Sequence, residues 1–432
     1  MMLQNLNRLS VIFVLSLPII FEVFRKYIFF SSIWLIVLDL IFLVIFVSTL
    51  MNFKPPTILN IWLFVIAIFV LHGLAFSIID MREPYPILFG LRLAFYPIFG
   101  FLVASSLTFD KDLTGKLIKV TLILLLLISV FGMLQIIIDQ SPWERPTHWI
   151  NYVPTELNYA CCSFGFGGSP FDSAEYKLIP GFNIYRPHSI FLHTGKFGQT
   201  VFGLSVILLM LARDLTPKNR GILMIIIILC NLITSQRSAL YPLISFMLLY
   251  TYLFSENKMK IFIIAFITGL SLSILKFEKI SFLVFKFFSI IPEIPSRLEL
   301  FYAANGLIDN NLLGDGWGLY ATGAQAFGGL SFPDVYGGEG GWIIIAGELG
   351  IPIAVILCLL ALSLGALIFL RSILKTGDSY LAFWASFTIL LLPLWAATHN
   401  IFGSYIMMFY SFIAVGLYFN KSFNLKIKDK LF

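Results

Sequence analysis

Residues 117–138 read LIKVTLILLLLISVFGMLQIII, a long apolar run interrupted by one charge, Lys119. A helix of about 20 such residues crosses the hydrocarbon core of a bilayer. The pattern recurs, so the sequence predicts an all-α polytopic membrane protein with about 12 transmembrane helices. The predicted spans lie at 9–24, 28–50, 57–79, 86–106, 117–138, 189–212, 221–234, 238–255, 261–275, 341–370, 379–397 and 401–419.

The overall composition supports a membrane protein and excludes several other classes. Charged residues make up 12% of the 432 residues, against roughly 25% in soluble proteins. The hydrophobic fraction is 59% and the mean hydropathy is +0.92, which excludes a disordered chain and a secreted disulfide scaffold. Basic cytoplasmic loops account for the net charge of +6, so we expect the lipid bilayer and no nucleic acid as a partner.

The distribution of Lys and Arg predicts the orientation of the chain. They are denser on the short loops of one side, which places both termini in the cytoplasm. We interpret residues 1–432 as a single transmembrane domain with two long extracytoplasmic loops, at 139–188 and 276–340. Their Gly, Pro, Trp and Tyr content favours ordered loops. Within the second loop, residues 280–291 are apolar but too short to span, which indicates an interfacial helix.

Few charged or titratable groups fall in the middle of a predicted span. Asp39, His72 and Arg92 do so, and such groups are costly in a membrane unless they are paired or functional. An Asp39–Arg92 pair that joins two helices is one interpretation. A proton or ligand pathway is the other, and both stay open.

Three arginines are predicted at the outer face. Arg186 lies in NIYRPHSIFLHTGKFGQT, Arg237 in TSQRSALYP and Arg297 in IPSRLELF. Guanidinium groups bind phosphate through two hydrogen bonds and stay charged when partly desolvated. Each arginine alone would serve as a headgroup anchor or loop salt bridge, whereas the set predicts a cavity for a pyrophosphate.

The second long loop contains two glycine-rich motifs. Residues 305–320 read NGLIDNNLLGDGWGLY, and residues 335–352 read VYGGEGGWIIIAGELGIP. The first imitates a dinucleotide fingerprint, but no strand–helix unit surrounds it, so we reject that interpretation. Glu339 lies between glycines just before a span, where a partly desolvated carboxylate would act as a general base. A solvated acid at the end of a loop is the alternative.

Taken in order, these motifs resemble the O-antigen polymerase and O-antigen ligase superfamily of membrane glycosyltransferases. The resemblance covers about residues 180–365 and rests on the arginine motifs, the Leu-Leu-Gly-x-Gly-x-Gly turn and the final Glu-Leu-Gly. In ligases the last motif begins with His. Counting back from Gly350 places Glu339 at that position, which favours a polymerase over a ligase.

The resemblance implies a lipid-linked donor, an oligosaccharide on undecaprenyl diphosphate. It also implies a metal-independent transfer without a cofactor, at the outer face of the bacterial cytoplasmic (inner) membrane. Arg186 and Arg297 would hold the diphosphate, with Arg237 in support. Arg297 would also be catalytic, because cations stabilise the leaving diphosphate. Glu339 would deprotonate the acceptor hydroxyl.

Further residues are candidates for the same site. His399 and His193 are alternative bases, although a lone His at a helix end is more often structural. Aromatic rings suit the C–H faces of sugars, and an interfacial belt of anchors is the commoner role for Trp. The aromatic candidates are Trp143, Trp149, Trp317, Tyr320 and Trp342.

Three functions follow from this sequence. The first is a polymerase of lipid-linked repeat units for O-antigen lipopolysaccharide or exopolysaccharide, with a chain-length regulator as an optional partner. The second is a ligase that passes glycan to lipid A core or another acceptor. The third is a lipid-linked sugar transporter, which would carry charge along the bundle centre and show internal repeats.

Overall fold

The computed structural model describes most of the predicted spans and little of the two long loops. The described residues are 15–20, 22–23, 37, 40–41, 43–45, 57–79, 84–106, 111–138, 175–179, 182–185, 189, 191, 194–234, 237–254, 313–317, 341–375, 378–398 and 405–420. The helices are α1 (Thr57–Ile79), α2 (Pro84–Ser106), α3 (Lys111–Ile138), α4 (Thr194–Leu211), α5 (Pro217–Ile233), α6 (Arg237–Phe254), α7 (Gly341–Leu349), α8 (Ile351–Ile373), α9 (Ser379–Thr398) and α10 (Tyr405–Phe419).

The helical fold class is confirmed. Each predicted span between residues 57 and 255, and each between 341 and 419, coincides with helical residues in this structure. Among the described residues, three helices are long and apolar enough to cross a bilayer, judged by length and composition. They are Asp112–Ile137, Lys196–Asp214 and Ile351–Ile373. The predicted span at 261–275 and the predicted interfacial helix at 280–291 lie outside the described residues.

A short β-hairpin in the first long loop was not predicted. Strand β1 (Glu175–Ile179) pairs antiparallel with strand β2 (Phe182–Tyr185), and Glu175 lies opposite Tyr185. The sequence between the strands is Pro-Gly, a strong turn signal that the search for long apolar runs overlooked. The fold class stays helical, and the hairpin adds a two-stranded element to it.

Helix α4 lies at the centre of the described bundle. Its apolar span is 89% buried, and it packs against α3, α9 and α10. Helix α10 also packs along α2, where the rings of Phe99 and Phe409 stack with centroids 5.8 Å apart. Without a hydrophobic driving force between helices in lipid, such close side-chain packing holds the bundle together.

The outer helices expose apolar side chains to their surroundings. The apolar span of α8 is only 17% buried. A polar exposed face would be expected on a soluble helix, so these faces are suited to contact lipid. The exposed apolar residues on α3, α5 and α8 include Ile123, Leu127, Val130, Ile137, Ile225, Leu229, Val355, Leu359, Leu362, Leu367 and Leu370.

An arginine knot, formed by Arg213, Arg220, Tyr250, Asp378 and Tyr380, joins α4, α5, α6 and α9 at one end of the bundle. Arg220 Nη2 donates to the Arg213 carbonyl oxygen (2.7 Å), and its Nη1 donates to Tyr250 Oη (3.1 Å). The same guanidinium lies 4.5 Å from the centroid of the Tyr380 ring. Arg213 Nη1 pairs with Asp378 Oδ2 at 3.2 Å, and Asp378 Oδ1 accepts from the Tyr380 amide at 3.1 Å. Arg213 and Arg220, whose charges favour a cytoplasmic loop in the sequence, thus also join helices to one another.

Candidate functional site

The helix that follows Glu339 in the sequence is broken. Helix α7 ends at Leu349, Gly350 has a φ of 94°, and α8 begins at Ile351 with Pro352 in its first turn. The prediction of one continuous span at 341–370 is wrong in this respect. A glycine in the left-handed region ends a helix readily, and a proline that follows starts the next one without needing its N–H.

A short turn from the second long loop packs against this break. We call residues 313–317, Leu-Gly-Asp-Gly-Trp, the glycine turn. The backbone amide of Asp315 donates to the Gly347 carbonyl oxygen, and that of Gly316 donates to the Glu348 carbonyl oxygen, both at 2.8 Å. The last carbonyls of a helix have no partner within the helix, and here the glycine turn provides one for two of them.

The same turn is bonded to α1. His72 Nε2 donates to the Leu313 carbonyl oxygen at 2.9 Å, and the Trp317 indole Nε1 donates to the Val70 carbonyl oxygen at 3.0 Å. The Trp317 amide lies 3.4 Å from the Gly73 carbonyl oxygen. The glycine turn thus joins α1 to the junction of α7 and α8.

Both glycines in the turn are required by its geometry. Gly314 and Gly316 have φ values of 80° and 88°, which residues other than glycine rarely adopt. A Cβ atom on Gly314 would lie 2.4 Å from the Gly350 nitrogen. One on Gly316 would lie 2.5 Å from the Ser77 nitrogen. The chain can approach α1 and the helix break this closely only because neither position carries a side chain.

Trp317 anchors the turn in a small apolar cluster, separate from the main core. It packs with Ile345, Ala346, Leu349 and Ala354, and only 6% of its surface is exposed. The hypothesis that Trp317 stacks on a sugar is therefore wrong. Its ring is covered by protein and its Nε1 is bonded to α1, so it offers no free face to a ligand.

A second polar group lies where α3 and α4 meet the first long loop. Ser189 donates its amide to Gln135 Oε1 (2.7 Å) and accepts from Gln135 Nε2 (2.9 Å). Its hydroxyl donates to the Ile128 carbonyl oxygen at 2.6 Å. In the sequence Ser189 is three residues after Arg186. The motif that contains Arg186 is therefore attached to α3 at this point.

Sequence reasoning missed two buried carboxylates. Glu348, in the last turn of α7, is 1% exposed, and so is Glu22, whose Oε1 lies 3.1 Å from Lys196 Nζ. Both lie in predicted apolar spans, at 341–370 and 9–24. A search for charges anywhere in a predicted span, and not only in its middle, would have found them. A carboxylate in an apolar helix is costly unless it has a role.

The side chains of the predicted site are not placed by the described part of the structure. Arg92 lies on α2, Arg237 is the first residue of α6, and Trp342 is the second residue of α7. The structure gives only their backbone positions. The other candidates, and Asp39, lie outside the described residues. These candidates are Trp143, Trp149, Arg186, His193, Arg297, Tyr320, Glu339 and His399. Their roles stay predictions. What the structure brings together is the glycine motif and the Glu-Leu-Gly motif.

No protein-family profile matches the chain, and no curated protein matches it closely enough to count as a relative.

Proposed function

We propose that this chain is a membrane glycosyltransferase that polymerises lipid-linked oligosaccharide repeat units. One observation carries the proposal. Two motifs on which the resemblance rests, the glycine turn and Glu348-Leu349-Gly350, are separated by 30 residues in the sequence and are hydrogen-bonded to each other in the fold. If the two motifs form one functional site, they must lie side by side in the fold, and this contact meets that requirement.

In the proposed reaction, an acceptor sugar hydroxyl attacks the donor sugar C1. The bond between C1 and the diphosphate oxygen breaks, and undecaprenyl diphosphate leaves. Arg186, Arg237 and Arg297 neutralise the charge that develops on the diphosphate, and Glu339 takes the proton of the hydroxyl. His193 and His399 are the alternative bases. No metal or cofactor is part of this scheme.

The proposal includes a topology and a location. About 12 spans would cross the bacterial cytoplasmic membrane, with both termini in the cytoplasm and the site on the outer face. The arginine knot would then lie at the cytoplasmic end, and α7 would begin at the outer end. The lipid tail of the donor would enter from the bilayer between helices.

A transporter of the lipid-linked sugar is the second candidate, and one observation favours it. Discontinuous helices with polar groups at the break form the substrate sites of many transporters. Here the break at Gly350 follows the buried Glu348, and His72 binds the turn that packs against the break. A transporter would move the donor across the bilayer without lengthening the glycan.

The test uses the purified chain in liposomes with undecaprenyl diphosphate-linked repeat units as the only substrate. A polymerase produces a ladder of increasing glycan length, which gel electrophoresis resolves. A product that appears only when lipid A core is added would identify a ligase instead. Donor that changes leaflet without any change in length would identify a transporter, and either result would contradict polymerisation.

A further inference from the structure

The second long loop is predicted to lie outside the membrane, yet its glycine turn contacts α7 far from the outer end of that helix. Helix α7 has nine residues, from Gly341 to Leu349. The two carbonyls that the turn bonds, those of Gly347 and Glu348, lie about 9–11 Å from the start of α7 at 1.5 Å per residue. Helix α1 gives a similar depth, because Gly73 lies six residues, or about 9 Å, before Ile79.

Five polar groups of the glycine turn's backbone are bonded to protein, as membrane depth favours. Irregular backbone within a bilayer is tolerated only where protein or a water-filled cavity satisfies its polar groups. The amides of Asp315, Gly316 and Trp317 donate to carbonyl oxygens of α7 and α1. The Leu313 carbonyl oxygen accepts from His72, and the Trp317 carbonyl oxygen lies 3.3 Å from Ser77 Oγ.

Two of the three side chains in the turn are apolar and support the same depth, while the third, Asp315, is half-buried. Trp317 is buried in the apolar cluster between α1, α7 and α8. Leu313 is 58% exposed, an exposure that suits a leucine in contact with lipid and that costs free energy in water. Leu71 on α1, next to the His72 that binds Leu313, is 62% exposed and apolar as well.

We infer that residues 313–317 form a re-entrant turn, which enters the membrane from the outer face and holds α7 against α1. The inference deepens the proposed function. Helix α7 begins two residues after Glu339, so the position of α7 determines where Glu339 lies in the proposed site. Gly314 and Gly316 are then positioning residues, which act through the place of α7 and do not touch the substrate.

The depth of the turn can be measured with nitroxide spin labels, in a full-length chain whose four cysteines are replaced by serine. Labels attached at Leu313→Cys and Leu71→Cys report depth through their relative access to oxygen and to a water-soluble nickel chelate. A label at Lys218→Cys, on an exposed residue, is the aqueous reference. We expect the Leu313 and Leu71 labels to agree within about 5 Å, one helical turn. Access of nickel to Leu313 equal to that at Lys218 would overturn the inference.

The contact of the glycines is tested with the same labels. In a Gly316→Ala variant we expect the Leu313 label to move outward by more than about 5 Å, one helical turn, while the Leu71 label stays in place. The matched control is Gly221→Ala, because a Cβ at Gly221 meets no atom within 4 Å, and it should move neither label. An unchanged Leu313 depth in Gly316→Ala would overturn the positioning role.

Two features keep this test decisive. If the Leu71 label also moves in Gly316→Ala, Trp317→Ala takes its place with the same two expectations, since it removes the ring that anchors the turn in the apolar cluster and adds no atom against Ser77. The measurements need no sugar transfer. A chain that is not a polymerase would still show the re-entrant depth, so the two proposals fail separately.

Discussion

The glycine turn joins α1, α7 and α8 through its backbone and two glycines, whereas the arginine knot joins α4, α5, α6 and α9 through long side chains. In the knot, one guanidinium bonds two carbonyls and a phenol and covers a ring. Each bond there can be removed alone, so the knot should weaken in steps. The turn depends on close approach of backbone to backbone, so a single added methyl group should undock all of it.

The largest effect is expected for Gly314→Ala. The new Cβ would lie 2.4–2.7 Å from backbone atoms of Glu348, Leu349 and Gly350, at a φ of 80°. Left-handed strain and overpacking together should cost about 4 kcal/mol of stability. Thermal unfolding in detergent, followed by tryptophan fluorescence, measures the loss. Gly115→Ala is the control, because its Cβ meets no atom within 4 Å, and equal melting temperatures for the two variants would contradict the docking.

Next in size is Arg220→Ala in the knot. It removes charged hydrogen bonds to the Arg213 and Leu215 carbonyls and to Tyr250, which should cost about 3 kcal/mol. Thermal unfolding again measures it. Lys218→Ala removes the same charge from an exposed neighbour and should change stability by less than about 0.5 kcal/mol. An equal loss of stability in both variants would show that net charge at this end of the bundle stabilises the protein and that the contacts of the arginine knot do not.

A smaller effect is expected for Asp378→Asn. The amide oxygen can still accept from the start of α9, but the ion pair with Arg213 is lost, and both side chains are about nine-tenths buried. We expect a loss of about 2 kcal/mol, limited because Arg213 also pairs with Asp214. A double-mutant cycle with Arg213→Met measures the pair directly. A coupling energy of zero would show that the pair contributes nothing.

The smallest effect is expected for Trp317→Phe. A phenyl ring still occupies the apolar cluster, but it is smaller than the indole, and the hydrogen bond from Nε1 to the Val70 carbonyl oxygen is lost. The expected cost is about 1 kcal/mol, measured by thermal unfolding. Trp317→Ala, which also removes the ring, should cost about 4 kcal/mol, and similar values for the two variants would show that the ring is not packed.

Hydropathy predicts the described helices well because a helix that crosses a bilayer must be long and apolar, and both properties can be read from the sequence. Helix α1 begins and ends where the sequence predicts it, at residues 57 and 79. The break at Gly350 was missed because the apolar run continues through it. The Gly-Ile-Pro sequence at 350–352 carried the signal.

The contacts of the candidate site were beyond the reach of sequence patterns. Leu313 and His72 are 241 positions apart, and nothing local in either segment indicates that they meet. Trp317 is conspicuous in a glycine-rich loop, and that prominence suggested a ligand surface when its role is packing. The roles of Arg186, Arg237, Arg297 and Glu339 stay predictions.

We expect the glycine turn to belong to the functional site and the arginine knot only to hold helices together. The most direct test is the rate of glycan-ladder formation per folded molecule, compared between Gly316→Ala and Arg220→Ala. We expect Gly316→Ala to lose about tenfold or more, since small misplacements at a reacting site cost that much, while Arg220→Ala keeps the parent rate in its folded fraction. A Gly316→Ala variant that forms the ladder at the parent rate would contradict the claim.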